Sequence, residues 1–308
     1  MTHPFLDALR SRLLVFDGAM GTQVHGLDLD LERDYLGCEN CTDVLSLSRP
    51  DQIGAIHRAY LEAGADAVTT NSFGGARHVL GEFGLQDRTH ELNRRAAEIA
   101  RAEADAFSTP ARPRFVLGSL GPGTKLITLG QIGWDALYEA YLEAAEGLVD
   151  GGVDAVLLET CQDLLQVKCA VQAAREAIRR RKGDALAVPL LVSVTIELTG
   201  TMLVGSSIEA AIEALRPLPV DGLGLNCATG PVEMIEPVRV LGALWDRPIT
   251  AMPNAGLPVL QDGKTVYPMQ PAGFVEAMGR LLDLGVVSAV GGCCGTTPAH
   301  IQELARRV

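Results

Sequence analysis

Three cysteines in this sequence have the placement of a metal site. Cys293 and Cys294 are adjacent and lie between glycines, directly after residues 285–290, whose β-branched composition predicts a buried strand. Adjacent cysteines rarely form a disulfide with each other, because that bond strains the peptide between them. Two thiolates on such a turn can instead bind one metal ion, and Cys227, at the end of another strand-like run, offers a third ligand. The pattern predicts a thiolate zinc site.

The chemistry of such a site follows from its charge. Three thiolates around Zn²⁺ leave a single net negative charge and one open tetrahedral position, as in catalytic zinc sites. A thiol that enters this position loses its proton on coordination. Its sulfur then stays nucleophilic at neutral pH, although a free thiol has a pKa of about 8.5. We therefore expect alkyl transfer to sulfur rather than activation of water, because three thiolates weaken the metal as a Lewis acid.

The segments around these cysteines alternate regularly between apolar runs and amphipathic helical stretches. Eight such pairs predict a parallel (β/α)8 TIM barrel that forms one domain over residues 1–308. A doubly wound open sheet also alternates, but it usually has fewer units and a glycine-rich nucleotide loop after its first strand. After the first strand we expect a long polar loop that extends to about Ser48. The predicted strands are 13–16, 67–70, 114–117, 154–158, 188–195, 220–225, 248–252 and 285–290.

Polar residues follow the predicted strands, whereas the strand bodies are apolar. The active site of a (β/α)8 barrel lies at the carboxyl ends of its strands, so the predicted zinc lies at this end. The residues at the predicted strand ends are Asp17, Asn71, Ser72, Ser119, Glu159, Thr160, Glu197, Cys227, Asn254, Cys293 and Cys294.

Composition excludes several classes of function. The 308 residues are 47% hydrophobic and 21% charged, as in ordinary globular proteins. A formal net charge of −12 argues against a nucleic-acid or anionic-membrane partner. We see no signal peptide and no apolar run long enough for a transmembrane helix. Seven cysteines without secreted-type spacing favour a reducing compartment, so we expect a cytoplasmic protein.

Other residues of chemical interest have simpler interpretations. Cys38 and Cys41 form a CxxC pair, but the sequence has no second pair to complete a zinc site. Cys161 follows a strand end and is more typical of a packing residue, so the roles of these three cysteines stay open. His57 and His78 are interpreted as surface residues of helices.

Five segments of the chain resemble the homocysteine S-methyltransferase family. The element from Gly291 to Pro298, GGCCGTTP, is highly specific when GLNC lies upstream. Within the family, segments 83–85 and 263–268 are similar to the N-terminal homocysteine-binding module of cobalamin-dependent methionine synthases. The five segments are 17–22 (DGAMGT), 70–73 (TNSF), 224–227 (GLNC), 253–256 (PNAG) and 291–298 (GGCCGTTP).

The resemblance implies an enzyme, a zinc-dependent methyltransferase that activates homocysteine as a thiolate and converts it to methionine. Cys227, Cys293 and Cys294 would be the zinc ligands, and Asn254 a fourth ligand that homocysteine displaces. Asp17 and Glu159 would bind the ammonium group of the substrate. The residues implied around its carboxylate group are Gly18, Thr70, Asn71 and Ser72.

The resemblance leaves the methyl donor open. Methylcobalamin held by a separate module would be the donor in a methionine synthase, with cobalamin- and folate-binding modules as partners. A stand-alone methyltransferase would instead use S-methylmethionine or betaine, and a non-catalytic zinc-binding barrel is the third alternative. A structural zinc keeps four fixed protein ligands, whereas a catalytic zinc exchanges one.

Overall fold

The computed structural model describes residues 3–261 and 263–308, and it confirms the predicted barrel. Eight parallel strands form one sheet in the order β1-β10-β7-β6-β5-β4-β3-β2. The sheet closes where Asp17 N–H donates to Ala67 O at 3.0 Å and Asp66 N–H donates to Val15 O at 2.6 Å. The barrel strands are β1 Leu14–Val15, β2 Ala67–Thr69, β3 Phe115–Leu120, β4 Ala155–Cys161, β5 Leu190–Val194, β6 Gly222–Asn226, β7 Ile249–Met252 and β10 Ala289–Val290.

Helices surround the sheet and follow its strands along the chain. None of them, within the residues described, has the length and apolar composition needed to cross a membrane. The helices are α1 Pro4–Ser11, α2 Met20–His25, α3 Leu45–Ser48, α4 Pro50–Glu62, α5 Arg77–Leu80, α6 Thr89–Phe107, α7 Trp134–Asp150, α8 Leu164–Lys182, α9 Ile208–Leu215, α10 Pro231–Leu244, α11 Pro271–Leu282 and α12 Pro298–Arg307. Short 3₁₀ turns span Thr42–Val44, Gly81–Phe83 and Gln86–Arg88.

Helix α1 closes the amino-terminal end of the barrel. Its Phe5 is fully buried, with its ring centroid 6.3 Å from that of Phe16 and 5.3 Å from that of Phe115. Leu9 belongs to the same apolar cluster, which fills the lower interior. Burial of such large apolar side chains stabilises this end by the hydrophobic effect. Access to the interior is therefore from the carboxyl ends of the strands.

Strand alternation places polar side chains above this apolar interior. Leu117 and Leu157 belong to the interior cluster, whereas their neighbours Val116 and Val156 pack in the cluster that includes the helices. Because side chains alternate along a strand, Ser119 and Glu159 lie two residues further along on the interior side. The upper interior is thus polar and adjoins the predicted zinc site.

Two local expectations from the sequence differ from the structure, and one element of the structure was not expected. The segment after Thr22 is not a continuous polar loop, because Val24, Val44 and Leu45 are buried on short helical turns. The eighth barrel strand is restricted to Ala289–Val290. An antiparallel hairpin, β8 Val259–Gln261 and β9 Lys264–Val266, was not predicted from the sequence. Its short strands carry too few alternating residues to give a pattern.

Candidate metal centre and substrate site

The three predicted zinc-binding cysteines lie together at the carboxyl ends of β6 and β10. Their Sγ atoms all lie within 4.8 Å of one another, and those of Cys227 and Cys294 are 3.9 Å apart. A disulfide needs about 2.05 Å between its sulfurs. Two thiolates on one tetrahedral zinc, each at about 2.3 Å, lie about 3.8 Å apart. The separation therefore fits a shared zinc ion and excludes a disulfide.

Cys227 is placed by an unusual backbone turn after β6. Cys227 and Ala228 have φ angles of 63° and 54°, in the left-handed region that non-glycine residues seldom adopt. The N–H of Cys227 donates to Met252 O at 3.2 Å, which ties the turn to β7. Two successive residues in this conformation cost about 1–3 kcal/mol each, so the surrounding contacts must hold them there.

Cys293 and Cys294 lie on a turn held by Thr296. The Thr296 hydroxyl donates to Cys293 O at 2.6 Å and its N–H donates to the same oxygen at 3.1 Å. A Cβ atom at Gly292 would lie only 2.4 Å from Thr296 Oγ1, so this close approach requires glycine. The glycines flanking the two cysteines therefore have a packing role.

Asn254 lies beside these cysteines with a buried, unsatisfied oxygen. The residue is 1% exposed, and its Oδ1 has no hydrogen-bond partner among the residues described. The N–H of the following Ala255 donates to Cys294 O at 2.9 Å. A buried amide oxygen without a partner is costly, and such groups mark places where an ion or ligand binds. Three thiolates and one amide oxygen together fit a tetrahedral zinc ion.

Asp17 lies at the end of β1 and accepts hydrogen bonds from Thr69. The Thr69 N–H donates to Asp17 Oδ2 at 2.8 Å, and its hydroxyl lies 3.1 Å from both carboxylate oxygens. Burial raises the pKa of Asp17 to about 8, against the Thr69 hydrogen bonds, and the charge of Glu159 adds to the rise. A cationic group would stabilise the ionised carboxylate.

Glu159 is the second carboxyl group of the upper interior. Burial raises its pKa to about 7, although the hydroxyl of Ser119 donates a hydrogen bond to Oε1 and opposes the rise. Strongly shifted carboxyl groups in a concave site are typical of ligand-binding positions. Together with Asp17, Glu159 gives the interior two acidic groups suited to an ammonium ion.

Asn226, the last residue of β6, was missed as a site residue by the sequence analysis. Its Oδ1 accepts from Thr160 N–H at 2.8 Å, and its Nδ2 donates to Thr160 Oγ1 at 2.8 Å. Nδ2 also lies 3.5 Å from Glu159 Oε2 and 3.8 Å from Cys293 Sγ. The only signal in the sequence was its position directly before Cys227.

The segment that follows β2 forms its own hydrogen-bond network. Thr70 Oγ1 lies 2.6 Å from Ser72 Oγ and accepts from Ser119 N–H at 2.9 Å, and Ser72 donates to Ser119 O at 2.8 Å. At Gly18, a Cβ atom would lie 2.7 Å from Thr296 Oγ1, so the Thr296 side chain can pack this closely only because residue 18 is glycine. These residues line the same end of the barrel as Asp17.

The side chain of Asn71 is directed away from the two acidic groups. Its Nδ2 donates to Thr42 O at 2.8 Å and to Ser46 Oγ at 3.2 Å, and Ser46 Oγ donates to Asn71 O at 3.2 Å. The side-chain amide therefore anchors the 42–48 segment to the loop that follows β2. Any contribution of residue 71 to a substrate carboxylate would have to come from its backbone.

The remaining cysteines, and the two histidines interpreted from the sequence, lie outside the group of three sulfurs. The described residues contain one group able to hold a metal, and Cys38 and Cys41 are not in it. Cys161 is buried, which raises the pKa of its thiol far above the ordinary value. His57 is fully buried, so its interpretation as a surface residue was wrong; α4 packs this face against neighbouring helices. His78 is half-buried, with both ring nitrogens buried.

Sequence comparison defines the class of protein that this fold and site represent. The profile of the homocysteine S-methyltransferase family matches residues 14–308, and the chain belongs to this family. Methionine synthases of Mycobacterium tuberculosis and Mycobacterium leprae are each 50% identical to it over 303 residues. The match covers 98% of this chain and 25% of each relative. The chain thus spans about a quarter of the length of these curated relatives.

Solved structures show the same fold. The metallated form of the homocysteine methyltransferase MmuM from Escherichia coli superposes with a TM-score of 0.76 at 21% identity, over 99% of this chain and 100% of that one. Its oxidized form gives 0.75 at 22% identity, over 98% and 99%. At this level of identity the likeness establishes the architecture of the barrel.

Proposed function

We propose that this chain is the homocysteine-binding module of a cobalamin-dependent methionine synthase. In this function it activates homocysteine as a thiolate for methylation to methionine. The observation that carries the proposal is the cluster of three cysteine sulfurs beside the unpartnered Oδ1 of Asn254. Membership of the family and the 50% identity to methionine synthases support it.

Cys227, Cys293 and Cys294 would hold the zinc ion, and Asn254 would supply an exchangeable oxygen. When bound, zinc supplies a Lewis acid that keeps the substrate thiol deprotonated at neutral pH. An amide oxygen is a weaker ligand for this soft centre than a thiolate, so Asn254 would be the ligand that a substrate sulfur could replace.

Asp17 and Glu159 would bind the ammonium group of homocysteine. Burial raises their pKa values to about 8 and about 7. The positive charge of a bound ammonium group would lower both values again, so that the two carboxyl groups lose their protons when the substrate binds. A charge-assisted hydrogen bond of this kind is worth about 1.5–3 kcal/mol. Thr69 and Ser119 hold the two carboxyl groups in place. The amino acid head is thereby oriented with its thiol towards the cysteines.

The methyl donor would be methylcobalamin presented by a separate module. The relatives are about four times as long as the match, which leaves room in them for cobalamin- and folate-binding modules. The segments that follow β2, β3, β4, β5 and β7 also expose apolar side chains, and we call these the apolar rim. In this proposal the rim would face the module that carries cobalamin. The apolar rim consists of Phe73, Leu129, Leu165, Leu198, Leu203 and Leu260.

Activity with different donors tests the proposal. We expect the isolated chain to methylate homocysteine slowly from free methylcobalamin and only at high donor concentration, because no module supplies proximity. We expect no turnover with S-methylmethionine or betaine. Rapid, saturable turnover with either small donor would show a self-sufficient methyltransferase and overturn the assignment to a methionine synthase.

X-ray absorption of the zinc-loaded chain separates catalysis from a purely structural metal. Addition of homocysteine should replace one oxygen neighbour of zinc by sulfur, because Asn254 is the exchangeable ligand. An unchanged ligand set would identify a non-catalytic zinc-binding barrel.

A further inference from the structure

The side chain of Asn226 uses both ends of its amide to hold one residue of β4. Oδ1 accepts from the N–H of Thr160 and Nδ2 donates to its hydroxyl, both at 2.8 Å. Asn226 is 1% exposed, and its own carbonyl accepts from Thr195 Oγ1 at 3.0 Å. The side-chain amide is thereby held against Thr160 of β4, and its orientation is determined by these two bonds, whereas the Thr195 bond holds only the backbone.

Thr160 needs such support because its backbone is strained. Its φ angle is 55°, a conformation that β-branched residues rarely adopt. The pairing of β4 with β5 shifts register between Leu158 and Cys161, so a bulge surrounds Thr160. A bulge of this kind redirects the adjacent side chain. The direction of Glu159 therefore depends on how firmly Thr160 is held.

Asn226 also lies between two groups that carry negative charge in the proposed function. Its Nδ2 is 3.5 Å from Glu159 Oε2 and 3.8 Å from Cys293 Sγ. The amide hydrogens present the positive end of a dipole to both groups, which reduces their repulsion. Removal of the amide would leave the carboxylate free to turn away from the thiolate.

We propose that Asn226 is a positioning residue that holds Glu159 at a fixed distance from Cys293. A single substrate molecule, an amino acid with a thiol, can then reach from the ammonium site to the metal. The inference rests on the proposed function and deepens it. It predicts that loss of the Asn226 side chain weakens binding of the amino acid head of the substrate. Zinc binding and the reaction of a thiol without such a head should not change.

The test compares three ligands on zinc-loaded parent and Asn226→Ala chains. Homocysteine has both the head and the thiol, methionine has the head without a free thiol, and 2-mercaptoethanol has only the thiol. We expect the Kd values of homocysteine and methionine to rise about tenfold or more. Zinc content and the rate of 2-mercaptoethanol methylation by methylcobalamin should stay within about twofold of the parent. Methionine binding to the zinc-free chains should show the same loss.

Two further variants make the test independent of folding. Asn226→Asp has nearly the same shape and retains an acceptor for Thr160 N–H, but it cannot donate towards Glu159, so we expect the same selective loss. Thr195→Val removes a hydroxyl that, among the described residues, hydrogen-bonds the backbone carbonyl of Asn226 and not its side-chain amide, so it should leave all three ligands unaffected. This matched control reports any general effect of altering the buried end of β6.

The results that would overturn the inference are distinct from those that overturn the proposed function. Loss of zinc, or an equal loss for all three ligands, would assign Asn226 to the metal site or to the fold. Unchanged amino acid binding in both Asn226 variants would show that Glu159 needs no such support. Failure of the parent chain itself to bind homocysteine would overturn the proposed function, and this inference with it.

Discussion

The backbone N–H of Cys293 donates a hydrogen bond to the carbonyl oxygen of Pro253 at 2.8 Å. On the other side of Asn254, the N–H of Ala255 donates to Cys294 O at 2.9 Å. Asn254 is thus held from both sides by the two adjacent cysteines, with its Oδ1 buried and unpartnered. This pair of bonds joins the end of β7 to the end of β10 and keeps residue 254 next to the two cysteines.

Asn254→Ala should retain zinc and bind homocysteine at least as tightly as the parent chain. Three thiolates remain in the variant, and the substrate sulfur no longer competes with an amide oxygen. Zinc content by atomic absorption and homocysteine affinity by calorimetry measure the two effects. Loss of zinc from this variant would show that Asn254 is a fixed structural ligand.

Replacement of Cys227, Cys293 or Cys294 by alanine should remove both zinc and methyl transfer while the barrel stays folded. The three sulfurs come from two strand ends, so no other described cysteine can substitute for one of them. Cys169→Ala is the matched control, because Cys169 is buried in α8 outside this group. Stoichiometric zinc in one of the three variants would exclude that cysteine from the site.

Asp17→Asn and Glu159→Gln should weaken homocysteine binding about 10- to 150-fold, which corresponds to about 1.5–3 kcal/mol, without loss of zinc. Each variant loses a negative charge that faces the substrate ammonium group. Asp43→Asn is the matched control, because burial also raises the pKa of Asp43, to about 6, and its partner is Gly74 N–H outside the site. A plain alkyl thiol should react equally with all variants; an equal loss for it would contradict the assigned role.

The free energy of unfolding should depend on pH through Asp17. Its pKa is about 8 in the folded chain and near 3.8 when unfolded, so the folded state binds more protons between these values. Stability from this group is therefore present below about pH 4 and is lost as the pH rises through about 8. Asp17→Asn removes the titratable carboxyl group, and the amide oxygen of the asparagine can still accept the hydrogen bond from Thr69 N–H.

Denaturant unfolding of the metal-free chains at pH 5 and pH 8 measures this effect. The variant should gain several kcal/mol relative to the parent at pH 8, because each pKa unit corresponds to about 1.4 kcal/mol, and less at pH 5. A difference that is the same at both pH values would show that Asp17 is ionised throughout. If the expected difference is observed, ionisation of this carboxyl group for substrate binding lowers the stability of the fold.

The alternation of apolar runs and helical stretches was sufficient to predict the barrel and the end of it that carries the site. Parallel strands connected by helices all direct their carboxyl ends to one face, so residues such as Cys227 and Cys293 meet there although they are distant in the chain. Cysteine type and strand-end position together predicted the cluster that the structure contains. Both depend on local patterns, which a sequence displays directly.

Only the tertiary structure determined how each side chain is directed and what surrounds it. The left-handed turn at Cys227, the bulge at Thr160 and the two-sided contact of Asn226 with Thr160 depend on hydrogen bonds between strands that no local pattern encodes. The same reason explains why Asn71 contacts the 42–48 segment and why His57 is buried. The raised pKa values of Asp17 and Glu159 likewise arise from burial, which is a property of the closed barrel and not of either residue.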